Sequence, residues 1–133
     1  MFKLKLPAEA DRLALVRSVV QRALENVGCS KEKSQNIVIA INEACMNIII
    51  HAYKDGEEGE FELELSRTDS GLCFRLTDQA PPIELESVKS RDLDDIRPGG
   101  LGIHFIKEIM DEFIIGHLEG NKGNYMEMLI KLD

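Results

Sequence analysis

The stretch Phe61-Glu62-Leu63-Glu64-Leu65-Ser66, followed by Asp69-Ser70-Gly71 and then Leu72-Cys73-Phe74-Arg75-Leu76-Thr77, decides the fold. In its first run every second residue is apolar, the period of a strand with one face in a core and one in water. Asp69-Ser70-Gly71 is a turn, so the second run is predicted to return as the hairpin partner of the first. With helical periodicity on both sides of this hairpin, strands and helices do not alternate regularly.

Toward the N-terminus, Leu13, Val16, Val20, Ala23 and Val27 recur at intervals of three and four within Ala8 to Val27, marking one face of a helix. Gly28 stands where a helix C-cap is expected, and Ser30 can cap a second helix running to about Tyr53. Ile37-Val38-Ile39-Ala40-Ile41 is apolar on nearly every side, which predicts a central, deeply packed helix. Phe2-Lys3-Leu4-Lys5-Leu6 alternates apolar and charged residues and reads as a half-buried strand ended by Pro7.

Toward the C-terminus, residues 79–99 hold Pro81, Pro82, Pro98 and many charges without a sustained period. A loop of that length in a compact domain is more often a functional lid than an accident. A third helix is predicted from near Gly102, turning Ile103, Ile106, Ile109 and Met110 inward. Two strands follow, Phe113–Leu118 and a run in which Met126, Met128, Ile130 and Leu132 alternate with outward residues, joined by Glu119–Gly123. The order predicts an α+β two-layer sandwich: a mostly antiparallel mixed sheet, helices on one face, and the other face wet or used for contacts. No repeat or linker divides the chain, so residues 1–133 read as one domain.

Composition narrows the function classes. Hydrophobic residues make up 44% of the 133 and charged residues 30%, an ordinary globular balance. Lys plus Arg is 16 against 24 Asp plus Glu, and the net charge of −8 argues against a nucleic-acid binder, which needs a concentrated basic surface. No apolar run reaches the length of about 18 residues that a membrane span needs. Met1 to Pro7 is too short and charged for a secretory signal, so a cytoplasmic protein is expected. Cys29, Cys45 and Cys73 are odd in number and widely spaced, predicting reduced, mostly buried thiols rather than a disulfide frame or zinc site.

Three features carry candidate chemistry. On the second helix Glu43, Asn47 and His51 follow at i, i+4 and i+8 and share one stripe. That stripe is either the solvent edge of an amphipathic helix or a general base beside an oxygen ligand for Mg²⁺, an ion that keeps waters and substrate phosphates in its shell. Asp78-Gln79-Ala80-Pro81-Pro82 ends a strand. Its carboxylate is either an ordinary strand-end acid or an acceptor for a purine amino group. Gly99-Gly100-Leu101-Gly102 opens the third helix, as a plain flexible turn or as a place where backbone N–H groups and the positive helix end approach phosphates. No GK[ST] follows, so it is not a P-loop.

Taken in this order, the three features resemble a known family. Asn42-Glu43-Ala44-Cys45-Met46-Asn47-Ile48-Ile49-Ile50-His51-Ala52-Tyr53 closely resembles the N-box of the GHKL ATPase superfamily. The branch it resembles is the anti-sigma factor/serine-protein kinases of bacterial partner-switching systems, with the pattern NEAxxNxxxHAY. Asp78-Gln79-Ala80-Pro81-Pro82 sits where the family has its adenine-binding G1 box, and Gly99-Gly100-Leu101-Gly102-Ile103-His104-Phe105-Ile106 is similar to its G2 box. Met110-Asp111-Glu112 is similar to the segment that follows.

The resemblance implies the Bergerat, or histidine kinase-like ATPase, fold. It implies Glu43 as general base, Asn47 as Mg²⁺ ligand, Asp78 as acceptor of the adenine amino group, and Gly100 and Gly102, with Leu101 between, facing the ATP phosphates. Arg97, with Lys89 and Arg91, lies in the lid and could neutralise phosphate charge, while His51 matches a recurrent histidine. Two positions depart from the pattern. Ala80 replaces the glycine of DxG, and Gly123-Asn124 replaces Gly-Thr before the last strand. The implied activity is Mg²⁺- and ATP-dependent serine/threonine phosphorylation of an anti-anti-sigma (STAS) partner, alternating with sequestration of a sigma factor. The exposed face of the first helix around Arg12 and Arg17 would be a partner surface. Family members are often homodimers. The competing reading is an ATP-binding regulatory module that controls its partner by binding and transfers no phosphate.

Overall fold

The computed structural model describes residues 1–52, 58–81 and 100–132. Its elements are β1 (Phe2–Pro7), α1 (Leu13–Asn26), α2 (Lys31–Asn47), β2 (Glu60–Arg67), β3 (Gly71–Asp78), α3 (Gly100–Ile109), β4 (Glu112–His117) and β5 (Asn124–Lys131). A 3₁₀ turn, Ala10–Arg12, leads into α1, and a π-helical turn, Ile48–Ala52, continues α2.

The strands form one sheet in the order β1-β2-β3-β5-β4, with β2 and β3 as the predicted hairpin. All four described pairings are antiparallel, in keeping with the mostly antiparallel sheet expected. Alternation sorts its faces. Phe61, Leu63 and Leu65 of β2, Leu72, Phe74 and Leu76 of β3, and Met126, Met128 and Ile130 of β5 join the apolar faces of the three helices in one core. The other face carries charge: Lys3 pairs with Glu64 at 3.2 Å, and Arg75 donates to Glu127 at 2.8 Å while lying over the Tyr125 ring.

Local chemistry ends the helices where the sequence predicts. Gly28 adopts φ +78°, Cys29 N–H donates to Leu24 C=O, and Gly28 N–H donates to Glu25 C=O. These two bonds are a Schellman cap, which needs a left-handed residue at that position. Ser30 Oγ then accepts from Lys33 N–H and starts α2.

Three expectations are corrected. α2 is not covered all round: Ile37, Ala40 and Ile41 are buried, but Ile39 is 48% exposed, because a single helical layer leaves its outer side in water. α3 includes Gly100, two residues before the predicted start near Gly102, so Gly100 and Gly102 form its first turn. The cysteines are free, but only Cys45 is buried; Cys29 and Cys73 are partly exposed, Cys73 because it lies on the outer sheet face.

The helices run antiparallel along the sheet. Lys33 Nζ donates to Lys131 C=O at 2.6 Å, pinning the start of α2 at the C-terminal end of β5. The end of α3 is held at that same sheet end, where Asp111 N–H donates to Leu129 C=O and Asp111 Oδ2 accepts from Lys131 N–H. Seventeen helical residues span about 26 Å, nearly the length of an eight-residue strand. The C-terminus of α2 and the N-terminus of α3 are therefore directed to the opposite end, where β3 finishes and β5 begins.

Candidate active site

Among the described residues, three buried polar side chains stand at that end of the sheet, Asn47 and the pair Asp78 and Asn124. The first is on α2. Glu43, half-buried, and Asn47, one turn later, project from the helix just before it widens into the π turn. Ile48 N–H splits its bond between Ala44 and Cys45 C=O. Single π turns are frequent at functional sites. Asn47 is 5% exposed, and neither its Oδ1 nor its Nδ2 has a hydrogen-bond partner. An unsatisfied buried amide costs roughly 1–3 kcal/mol, which a ligand or ion can relieve.

The second group is Asp78, 4% exposed at the end of β3. Oδ1 accepts from Ala80 N–H at 3.0 Å and from Asn124 Nδ2 at 3.0 Å. Asn124 Nδ2 also donates to Pro81 C=O at 3.2 Å. Burial pushes the Asp78 carboxyl above its usual pKa, against the pull of the bonds from Asn124 and Ala80. Gly123 makes the corner possible: at φ +149° it lies so close to β3 that a Cβ would stand 1.9 Å from Asp78 O. Ala80, at the position of the family's glycine, is buried and contributes the backbone donor to Asp78.

The other predicted residues are placed as follows. Gly100, Leu101 and Gly102 form the first turn of α3, whose leading N–H groups have no partner within the helix, and α3 packs against α2. His51 lies in the π turn. Arg97, Lys89 and Arg91 fall outside the described residues, as does the acidic run Asp92, Asp94 and Asp95. Asp78 and Ala80 are hydrogen-bonded to each other, Glu43 and Asn47 share a helix face, and no hydrogen bond joins Asn47 to Asp78.

Among the described residues no three His, Cys, Asp or Glu side chains cluster as a metal cage. The available donor is the Asn47 amide oxygen, which suits a hard cation that completes its shell with water and phosphate oxygens. Sequence reasoning named Asn124 only as a departure from the pattern, because its contact with Asp78 depends on the β3–β5 register. It missed the bond from Arg17 to Asn42 Oδ1 at 2.9 Å, which ties α1 to the residue before Glu43. Arg12 turns to its own neighbours, Glu9 and Asp11.

The chain is similar to known proteins. The family model of the histidine kinase-like ATPase domain matches residues 6–130. A serine-protein kinase RsbW of Bacillus cereus is 31% identical over 129 residues, covering 89% of this chain and 78% of the relative. An RsbW of Bacillus thuringiensis is 28% identical over 126 residues, with the same shares covered. Among solved structures, the RsbU and RsbW domains of Rv1364c from Mycobacterium tuberculosis superimpose with a TM-score of 0.64 at 17% identity, over 99% of this chain and 33% of that one. The SiaB–SiaC complex from Pseudomonas aeruginosa matches with a TM-score of 0.65 at 11% identity, over 96% of this chain and 88% of the other. Fold, family model and relatives agree: the chain belongs to the histidine kinase-like ATPase domain family.

Proposed function

We propose that residues 1–133 form one ATP-dependent protein serine/threonine kinase domain that phosphorylates an anti-anti-sigma (STAS) partner and alternately sequesters a sigma factor. The observation that carries this reading is the unpartnered, buried Asn47 amide one turn after Glu43, at the sheet end that also holds Asp78. Relatives named serine-protein kinase support it.

In this reading Asp78 accepts a hydrogen bond from the adenine amino group, and the N-terminal amides of α3 face the phosphates. Asn47 Oδ1 would hold Mg²⁺, whose chemistry there is to neutralise phosphate charge. Glu43 accepts the proton of the partner's hydroxyl as its oxygen bonds to the γ-phosphorus and the bond to the bridging oxygen of ADP breaks. Arg17, exposed on α1, is a candidate partner contact, and Arg97 is a candidate to neutralise phosphate charge.

The test incubates the purified chain with Mg-ATP and whatever protein co-purifies with it, measuring bound nucleotide and transferred phosphate separately. Wild type is expected to do both, and Glu43→Ala to keep binding while transfer falls by about 100-fold or more. ATP binding without transfer by wild type makes the chain a regulatory module. Calorimetric silence toward both ATP and ADP overturns the nucleotide reading.

A further inference from the structure

We propose that the outer edge of β4 is a strand-pairing surface, and that its occupant is a second copy of this chain, laid antiparallel along it with Ile114 on the twofold axis. The pairing does not depend on nucleotide.

A sheet in the order β1-β2-β3-β5-β4 has two edges, and only one of them is protected. An edge strand offers a row of N–H and C=O groups to another chain, and proteins block it with lysine, proline, a bulge or a cover. β1 carries Lys3 and Lys5, both 61% exposed, and ends at Pro7. A second β1 set antiparallel about Leu4 would bring Lys3 against the partner's Lys5, and like charges repel. β4, Glu112-Phe113-Ile114-Ile115-Gly116-His117, has no lysine, arginine or proline. Its register with β5 runs unbroken from Glu112↔Leu129 to His117↔Asn124, so no bulge turns it aside. Three large apolar residues stand in a row on it. Phe113 and Ile115 pack against the core yet stay half-buried, because no further strand among the described residues closes the layer beside them. Ile114, on the opposite face, is 42% exposed.

The register selects the occupant. Antiparallel pairing about Ile114 sets it against the partner's Ile114, Phe113 against the partner's Ile115, and Glu112 against the partner's Gly116. Phe113 and Ile115 of both copies then share one side and join the two cores. Moving the axis by one residue sets Phe113 against the partner's His117, or Asp111 against the partner's Ile115, and mismatches apolar with polar. Glu112 gains a polar contact as well. A Cβ on Gly116 would stand 2.6 Å from both Cε1 and the hydroxyl oxygen of Tyr125, so that ring crosses from β5 over Gly116. Glu112 and Gly116, four residues apart on one strand, face the same side. The twofold register therefore brings the Glu112 carboxylate beside the partner's Tyr125 hydroxyl, which can donate to it. The contact is made twice, once by each copy.

The experiment is sedimentation of the full chain from about 1 to 300 µM. A six-residue edge covers less than the about 800 Å² per copy of a standard interface, so a dimer with a micromolar dissociation constant is expected. Ile114→Lys should weaken it by about tenfold or more, Tyr125→Phe by several-fold, and Lys3→Ala on the other edge should leave it unchanged. Should Ile114→Lys not fold, Ile114→Thr carries the same direction. Ile114→Cys reads the register: facing Cα atoms roughly 4.5–5.5 Å apart suit a disulfide, so oxidation should link the copies through position 114, as peptide mapping would show. Leu15→Cys, 48% exposed on α1, is expected to form no such link. A dimer that survives Ile114→Lys, or one that links through position 15 and not 114, overturns the proposal. So does a wild-type chain that stays monomeric at about 300 µM, even one whose β4 takes up a strand of another protein.

Discussion

Asp78 is a carboxylate that folding would rather keep protonated. Its pKa is raised in the folded chain, so its contribution to stability is fullest below the unfolded value of 3.8 and is lost as pH rises through the folded value. Asp78→Asn should therefore raise Tm at neutral pH, by an amount that shrinks on acidification, while ATP affinity falls by about 100-fold. Melting curves and titrations on the same preparation check both signs. The Cys45 thiol, fully enclosed, is pushed up to about 12 by burial, so alkylation at mildly basic pH should reach Cys29 and Cys73 first, as peptide mapping would show. That Glu43 and Asn47 share one helix and that Asp78 ends a strand was legible in the sequence, because helical spacing and strand period report both. Asn124 was not, because its role exists only once β5 is paired beside β3.

Helix ends were legible for the same local reason. Gly28 and Ser30 act through bonds that span three to five residues, and patterns of that reach are written in the sequence. Gly28→Ala meets nothing within 4 Å, so its cost is the left-handed backbone alone, about 1 kcal/mol. Ser30→Ala should cost a similar amount, about 1 kcal/mol, through the lost cap, and denaturant titration of each variant measures it. Gly123→Ala is expected to be worse than either and to weaken nucleotide binding as well, since its methyl would collide with the backbone of Asp78. Two features of α2 stayed hidden. Its outward stripe depends on how many layers cover the helix, and its π turn on packing around Asn47, neither of which periodicity reports.

The whole molecule depends on one apolar layer between sheet and helices. Phe74 and Leu24 are completely buried within it. Phe74→Ala should cost about 3–5 kcal/mol, a large share of the roughly 5–15 kcal/mol available to a domain, and equilibrium unfolding tests this. Mg-ATP at about 100 times its dissociation constant should add about 2.7 kcal/mol and raise Tm by several degrees, whereas Asn47→Ala should reduce the rise. The layered architecture was readable in advance because alternation and three-to-four spacing report which residues face the core. The strand order β1-β2-β3-β5-β4 was not, because it depends on where the connections cross.

One end of the sheet is stitched shut. Lys33 to Lys131, Asp111 to both Leu129 and Lys131, and Leu132 N–H to Ser70 C=O bind two helices and three strands into a common seam. The candidate chemistry sits at the far end, so the molecule resembles a book held along its spine while the pages part at the fore-edge. Amide hydrogens along the seam should exchange last whether or not nucleotide is present. Those near Asn47 and Asp78 should be the ones that a bound nucleotide slows.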